Sequence, residues 1–555
     1  MAVEAAGVAL VVAVIHVVFR LSAGFLFGVF DDDGVYVALG KSIAQGTGYH
    51  SIHLAAAPVQ VRYPPGLPLV LAIPWALGGS LSAVRSAIDV LQVLVTAAGA
   101  GLIWWIGRRD CRISAWPLAI CAVSPFVLDA TIQFYNLPLT EPYLVLGWAA
   151  ALALVTGEPS PGRAAAVGGI LAATTLFRAA GIALVPAILI ALALERRWRA
   201  VAACAATSLI PLAAWASLRA VWAAAAAPPP GTSSVVLPDD RGYWEWLGAD
   251  GPVALAGYTA RTMGANAVEY VLDLARYLVS IQAVGVIIVG AAILAAIAAG
   301  IRLRRTHAAL VLTVLCVTVL TLSWPFAQAR LFLPLLPFIG LLAANGVDAG
   351  VRRASPVMGW GVHGFLALMA MTVTLRQLEL RSAAERAYQT GTLPPVADRS
   401  PTITLSFRSR FIFQVATWIG QHTTPQDRVM VQAPAGVFLY SGRRTVSAIP
   451  TESPLGPSVF EIPGRYLAER ILTDSVTVVV WTPATVALGR DIESVQTRCP
   501  QVLARIPVTP EPPVYYRVNR DVDCLQSIAL HSAPMVSILR RLGPGPGRQC
   551  RHSHS

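Results

Sequence analysis

The chain has 555 residues, 55% of them hydrophobic and only 13% charged, with a mean hydropathy of +0.61. Soluble domains carry about 25% charged residues, and a water-soluble core of this size cannot hide so much apolar surface, so lipid is the solvent for much of the chain. The net charge of +12 does not indicate nucleic acid, because the arginines fall in short clusters between apolar runs, the positive-inside pattern, and not along a groove for phosphodiesters. Lys41 is the only lysine.

A membrane-spanning helix needs about 20 mostly apolar residues. The first candidate covers 5–29. It lacks a basic leading region and a small-residue cleavage site, so it reads as a retained helix and not as a signal peptide. A first loop, 30–82, opens with Asp31-Asp32-Asp33-Gly-Val-Tyr36 where that helix leaves the bilayer. Three carboxylates at a membrane surface repel one another and call for a cation, a ligand or a raised pKa. A helix over 33–45 is expected next, ending at Gly46-Thr-Gly48. The loop then carries Tyr49-His50 and His53 and closes on Arg62-Tyr63-Pro-Pro-Gly-Leu-Pro68 before a short apolar helix.

The second span covers 84–106 and ends at Arg108-Arg109. Three longer apolar blocks, 114–156, 164–195 and 308–350, have arginine at both ends. A block with cytoplasmic charge at both ends must cross and return, so each reads as a two-helix hairpin. Single spans fit at 200–224, 278–301 and 356–376. The expected fold is therefore mainly α, a polytopic bundle of about eleven spans, with the N-terminus cytoplasmic and 377–555 outside. The hairpin tips place Arg178, Arg330, Asp129 and Glu141 on that outer face. Ionisable groups at such positions are costly and commonly functional, although an arginine also snorkels to headgroups and Glu141, in the first turn of its helix, also complements the helix dipole.

A second outer loop, 225–277, carries Tyr243-Trp-Glu-Trp246. In the tail, the stretches around 428–432 and 475–481 read as buried strands and 411–421 as a helix, which gives a small α/β domain over 377–540 after a transmembrane domain over 1–376. Residues 541–555 read as disordered. None of the seven cysteines forms a CxxC pair, which disfavours zinc or redox chemistry. Cys499 and Cys524 form a disulfide if the tail lies outside the cytoplasm; otherwise they are two thiols.

The run Asp32-Asp33 with Tyr36 and Gly46, then Tyr63-Pro-Pro-Gly-Leu-Pro68 and an apolar helix ending Leu77-Gly-Gly, resembles the first extracytoplasmic loop of GT-C glycosyltransferases, in particular the protein-mannosyltransferase and aminoarabinose-transferase group (glycosyltransferase family 39-like). Leu139-Thr-Glu-Pro142, Phe177-Arg178 with Gly181, and Arg330 with Pro334 and Pro337 extend the resemblance. So do Trp418-Ile419, Asp427-Arg-Val-Met-Val431 and Tyr440-Ser-Gly-Arg443 in the tail. The resemblance covers 5–520. It implies inverting transfer of one sugar from a polyprenyl-phosphate carrier to an extracytoplasmic glycan, lipid or protein, by a multi-pass protein of the plasma (inner) membrane. On that basis Asp32 is the general base and Asp33 its neighbour in the site. Arg330, Arg178 and Arg62 hold the donor phosphate, and Glu141, Tyr63 and Tyr36 orient the site. Some relatives use a divalent metal; here His50 and His53 lack a matched third ligand, and the question stays open. The rival readings are a lipid or solute transporter, which would place polar groups near the bilayer midplane, and a non-catalytic envelope scaffold.

Overall fold

The structure is a computed structural model that describes residues 1–21, 27–28, 32–126, 140–156, 160–225, 252–278, 282–304, 306–324, 329–353, 356–390, 401–448, 464–482, 486–508 and 513–530. It divides into two compact units. The first comprises residues 1–25, 63–225 and 250–383; the second comprises 26–62, 226–249 and 384–555.

The first unit is helical. Four helices are long and apolar enough to cross a membrane, Leu81–Arg109, Trp198–Trp222, Gln282–Leu303 and Leu333–Arg352, and six shorter apolar helices accompany them among the described residues. Length and apolarity thus support four of the eleven expected spans. Leu81–Arg109 starts at Ser80, whose hydroxyl accepts the Ala83 amide at 3.1 Å, and ends on Arg108 and Arg109. Cap and basic terminus both complement the helix dipole. The first described helix is Ala2–Leu21; of the expected 5–29, residues 22–26 and 29 lie outside the described residues, and Gly28 at φ +87° already belongs to a turn.

Each of the three long blocks divides. Block 164–195 breaks at Arg178 into Pro161–Phe177 and, after a 3-10 turn, Leu184–Leu194. Block 114–156 gives helical segments at 115–126 and Glu141–Val155, and its tip, with Asp129 and Asn136, lies outside the described residues. Block 308–350 gives Ala308–Leu322 and Leu336–Arg353. The core joins these helices around Trp148 and Phe338, whose rings are 5.8 Å apart.

Residues expected in the second outer loop form the 27-residue helix Pro252–Leu278. Arg261, Glu269, Asp273 and Arg276 interrupt its hydropathy, yet Asn266, Tyr270 and Ala275 are buried. It is an amphipathic helix that packs within the bundle, which a span-seeking window overlooks. Tyr243–Trp246 lie outside the described residues.

The second unit holds a five-stranded sheet in the order β2-β1-β3-β5-β4, with β1 Val429–Val431, β2 Thr445–Ser447, β3 Val478–Trp481, β4 Leu503–Ile506 and β5 Val514–Val518. β2, β1 and β3 are parallel; β5 runs antiparallel to β3 and β4. Val429, Val431, Val478 and Val480 meet Val415, Ala416 and Ile419 of helix Pro401–His422 on one face. Met430 and Val479 meet Leu467, Ile471, Ile492 and Leu525 of three helices on the other. Covered on both faces, β1 and β3 read as unbroken apolar runs. Cys499 and Cys524 form a disulfide that ties helix Val486–Arg498 to helix Val522–Leu530.

Candidate active site

In the first unit two of the expected residues, Glu141 and Arg178, meet at the end of helix Pro161–Phe177. Arg178 leaves that helix in extended conformation, φ −151° and ψ 129°. Its Nη1 donates to Thr140 Oγ1 at 2.7 Å and lies 2.8 Å from Glu141 Oε1, while the Thr140 hydroxyl donates to Glu141 Oε2 at 3.2 Å. The pair is buried, with side-chain exposures of 3% for Glu141 and 14% for Arg178. Glu141 opens its helix directly before Pro142, the position where a carboxylate also faces the positive end of the helix. Dipole complementation and the ion pair with Arg178 therefore fall on one side chain. Both of these guanidinium contacts use Nη1; a planar fork has five N–H donors.

The Tyr63–Pro68 turn reaches the same helix end. A Cβ on Gly66 would lie 2.7 Å from the Leu176 carbonyl oxygen and 2.8 Å from the Phe177 ring, so only glycine lets the turn approach. Tyr63 is buried there, and Tyr143 stacks on Phe177 with centroids 4.7 Å apart. Arg330 belongs to the short helix Ala329–Phe332; its side chain is not among those described. The neighbouring Phe332 ring stacks on Tyr270 at 5.2 Å. Asn266 Nδ2 donates to the carbonyls of Leu322 and Trp324, at 2.8 and 2.6 Å, and so satisfies the end of helix Ala308–Leu322 just before the Arg330 segment. Sequence reading did not single out Asn266 and Tyr270; their i, i+4 spacing on an amphipathic helix was the available signal.

The second unit holds Asp32, Asp33, Tyr36 and Arg62. The helix expected over 33–45 spans Asp32–Ala44 and stops at Gly46 and Gly48, both with positive φ. Asp33 is 2% exposed and its Oδ2 accepts the Gly28 amide at 2.9 Å; Tyr36 is buried and Asp32 half-buried. The Arg62 amide donates to Gln60 Oε1 at 2.7 Å. His50 Nδ1 shares a hydrogen bond with the Ala57 carbonyl at 2.9 Å. His53 is 1% exposed, and desolvation pushes its imidazole down to about 3. Among the described residues no group of three or more His, Cys, Asp or Glu side chains is placed to hold a metal ion.

Apolar helices of spanning length, followed by a small α/β sheet domain with a disulfide, define a multi-pass membrane protein. Its fold is similar to that of ArnT. The structure of ArnT from Cupriavidus metallidurans bound to undecaprenyl phosphate matches at a TM-score of 0.52 and 17% identity, covering 93% of this chain and 97% of that one. Its apo state matches at the same score with 15% identity. The arabinofuranosyltransferase AftD from Mycobacteria, at a TM-score of 0.41 and 16% identity over 94% of this chain and 40% of its own, adds nothing to the assignment. No protein-family profile matches the sequence, and no curated sequence does. At such identities the likeness establishes the fold and leaves the reaction to the site.

Proposed function

We propose that the chain is an inverting glycosyltransferase that moves one sugar from a polyprenyl-phosphate carrier to an extracytoplasmic glycan, lipid or protein. The observation that carries this reading is the buried Thr140–Glu141–Arg178 cluster at a helix end in a fold shared with a protein solved with undecaprenyl phosphate. The donor's leaving group is a phosphate, which departs without a general acid. The acceptor hydroxyl oxygen attacks the anomeric carbon, Asp32 takes its proton, and the bond from that carbon to the phosphate oxygen breaks with its electron pair on the polyprenyl phosphate. One in-line displacement inverts the centre. Arg178, Arg330 and Arg62 neutralise the phosphate, for which the guanidinium fork is matched. Glu141 holds Arg178 in orientation, Asp33 sets the turn before the base, and Tyr36 and Tyr63 line the acceptor side.

The orientation belongs to the same proposal: the N-terminus is cytoplasmic and the sheet domain outside. The Cys499–Cys524 disulfide supports it, since such bonds persist in oxidising compartments. The test is transfer of radiolabel by the purified protein in nanodiscs from a panel of polyprenyl-phosphate-linked pentoses and hexoses to an envelope fraction. Asp32→Asn is expected to lower turnover about 10²–10⁴-fold with the folded yield unchanged. Solute uptake by proteoliposomes without any transfer would replace this reading with the transporter.

A further inference from the structure

The residues just before the acidic run are held by the sheet domain's helix Pro434–Ser441. The Phe27 amide donates to the Tyr440 phenol oxygen at 2.8 Å. Gly28, at φ +87°, lies so close to this helix that a Cβ built on it would fall 2.1 Å from Gly436 Cα. A Cβ on Gly34 would meet Ala435 Cβ at 2.9 Å, and one on Gly436 would meet Gly28 Cα and the Phe27 oxygen at 3.1 Å. Backbone therefore rests on backbone, as small residues at a contact allow. The Gly28 amide in turn donates to Asp33 Oδ2, so the turn and the first turn of helix Asp32–Ala44 are one hydrogen-bonded unit. Further along that helix, the Lys41 ammonium stands 5.3 Å from the Phe438 ring centroid. The far end of the loop is anchored separately. The Thr445 amide and hydroxyl both donate to the His53 carbonyl at 2.9 Å, and the Ala55 amide donates to the Thr445 carbonyl at 3.0 Å. Residues 53–55 thus run along the open edge of β2, parallel to it.

We infer that Gly436 and Tyr440 are positioning residues for the start of helix Asp32–Ala44: the sheet domain holds Phe27, Gly28 and Gly34, and through the Gly28–Asp33 hydrogen bond the location of Asp32. The catalytic consequence rests on the proposed role of Asp32; the anchoring itself does not. A general base works only within hydrogen-bond reach of its proton, and a displacement of about 1 Å can cost 10²-fold, so a close backbone contact from a rigid helix is a fitting support.

Tyr440→Phe removes the acceptor of the Phe27 amide and keeps the ring that packs on Phe413; Gly436→Ala adds one methyl at the contact. Amide hydrogen exchange on full-length protein in nanodiscs is expected to quicken about tenfold or more over residues 27–36 in both variants, with β1 and β3 unchanged. With the labelled donor that the transfer panel identifies, kcat is expected to fall about 10- to 100-fold while the donor KM stays within roughly twofold. Wild-type exchange and wild-type kcat in both variants overturn the inference. So does exchange that quickens equally in the strands, which would reduce the contact to domain stability. Full activity of Asp32→Asn beside quickened exchange in Tyr440→Phe overturns the base assignment and leaves the anchoring in place.

Discussion

Glu141 and Arg178 come from different helices, and each removes the other's main liability as a buried charge. Thr140 adds a neutral hydrogen bond to both. Leaving one of a buried pair without the other costs about 3–5 kcal/mol in comparable sites. Arg178→Met is therefore expected to lower the unfolding temperature in detergent more than Glu141→Gln with Arg178→Met does, read by scanning fluorimetry. Equal losses would mean the charges do not support one another. His53 is the second residue with a thermodynamic signature. Burial holds its imidazole neutral down to about pH 3, against an ordinary value of 6.5. Between pH 6.5 and 3 the unfolded chain binds the extra proton, so this residue makes stability fall as acid is added, by about 1.4 kcal/mol per pH unit. His53→Gln should flatten that slope in urea titrations at pH 7 and pH 5, and an unaltered slope would assign it to other groups. The sequence shows His53 only as one of two loop histidines; its burial depends on the edge of β2, to which 392 positions of chain separation give no clue.

At the scale of elements, the turn at Tyr63–Pro68 and the end of helix Pro161–Phe177 form a joint that depends on Gly66. Gly66→Ala forces a methyl against the Leu176 carbonyl and is expected to cost about 1–3 kcal/mol, the usual penalty of overpacking. Gly78→Ala, whose nearest neighbour outside its helix would be 3.7 Å away, is the matched control and should be tolerated. A thermal-melt series in which both behave alike would remove the joint. Helices and strands were legible in unequal measure. Helix Asp32–Ala44, the break at Arg178, and strands β1 and β3 follow from apolar runs and their glycine or arginine boundaries. β2 has Val446 as its one apolar residue, and β4 exposes Ala504 and Arg505, so neither carries an apolar run that a window can read. The helix Pro252–Leu278 was hidden because its charges break the hydropathy run while Asn266 and Tyr270 still pack inward.

At the scale of the molecule, the expected first loop divides: residues 26–62 group with 384–555, and the part from Tyr63 onward groups with the helices that follow it. The disulfide closes a 25-residue separation, for which chain entropy gives about 3.5 kcal/mol. Cys499→Ser with Cys524→Ser is expected to destabilise the sheet domain by that order in denaturant titrations. Maleimide labelling of the denatured wild type should reach Cys499 and Cys524 only after reduction; labelling before reduction would show two thiols.

The sequence by itself determined the features that local terms control. Apolar run length requires a bilayer, arginines bound the apolar blocks that the structure divides into helices, and the acidic run, the Tyr63–Pro68 turn and the isolated arginines marked the candidate residues. Only the tertiary structure decided partners: Arg178 with Glu141, Gly28 with Gly436, and Phe27 with Tyr440. The reason is physical. Periodicity and capping act within a turn or two of chain, whereas the choice among distant partners is made by close packing after loop-closure entropy has been met, and no single-residue pattern records that choice.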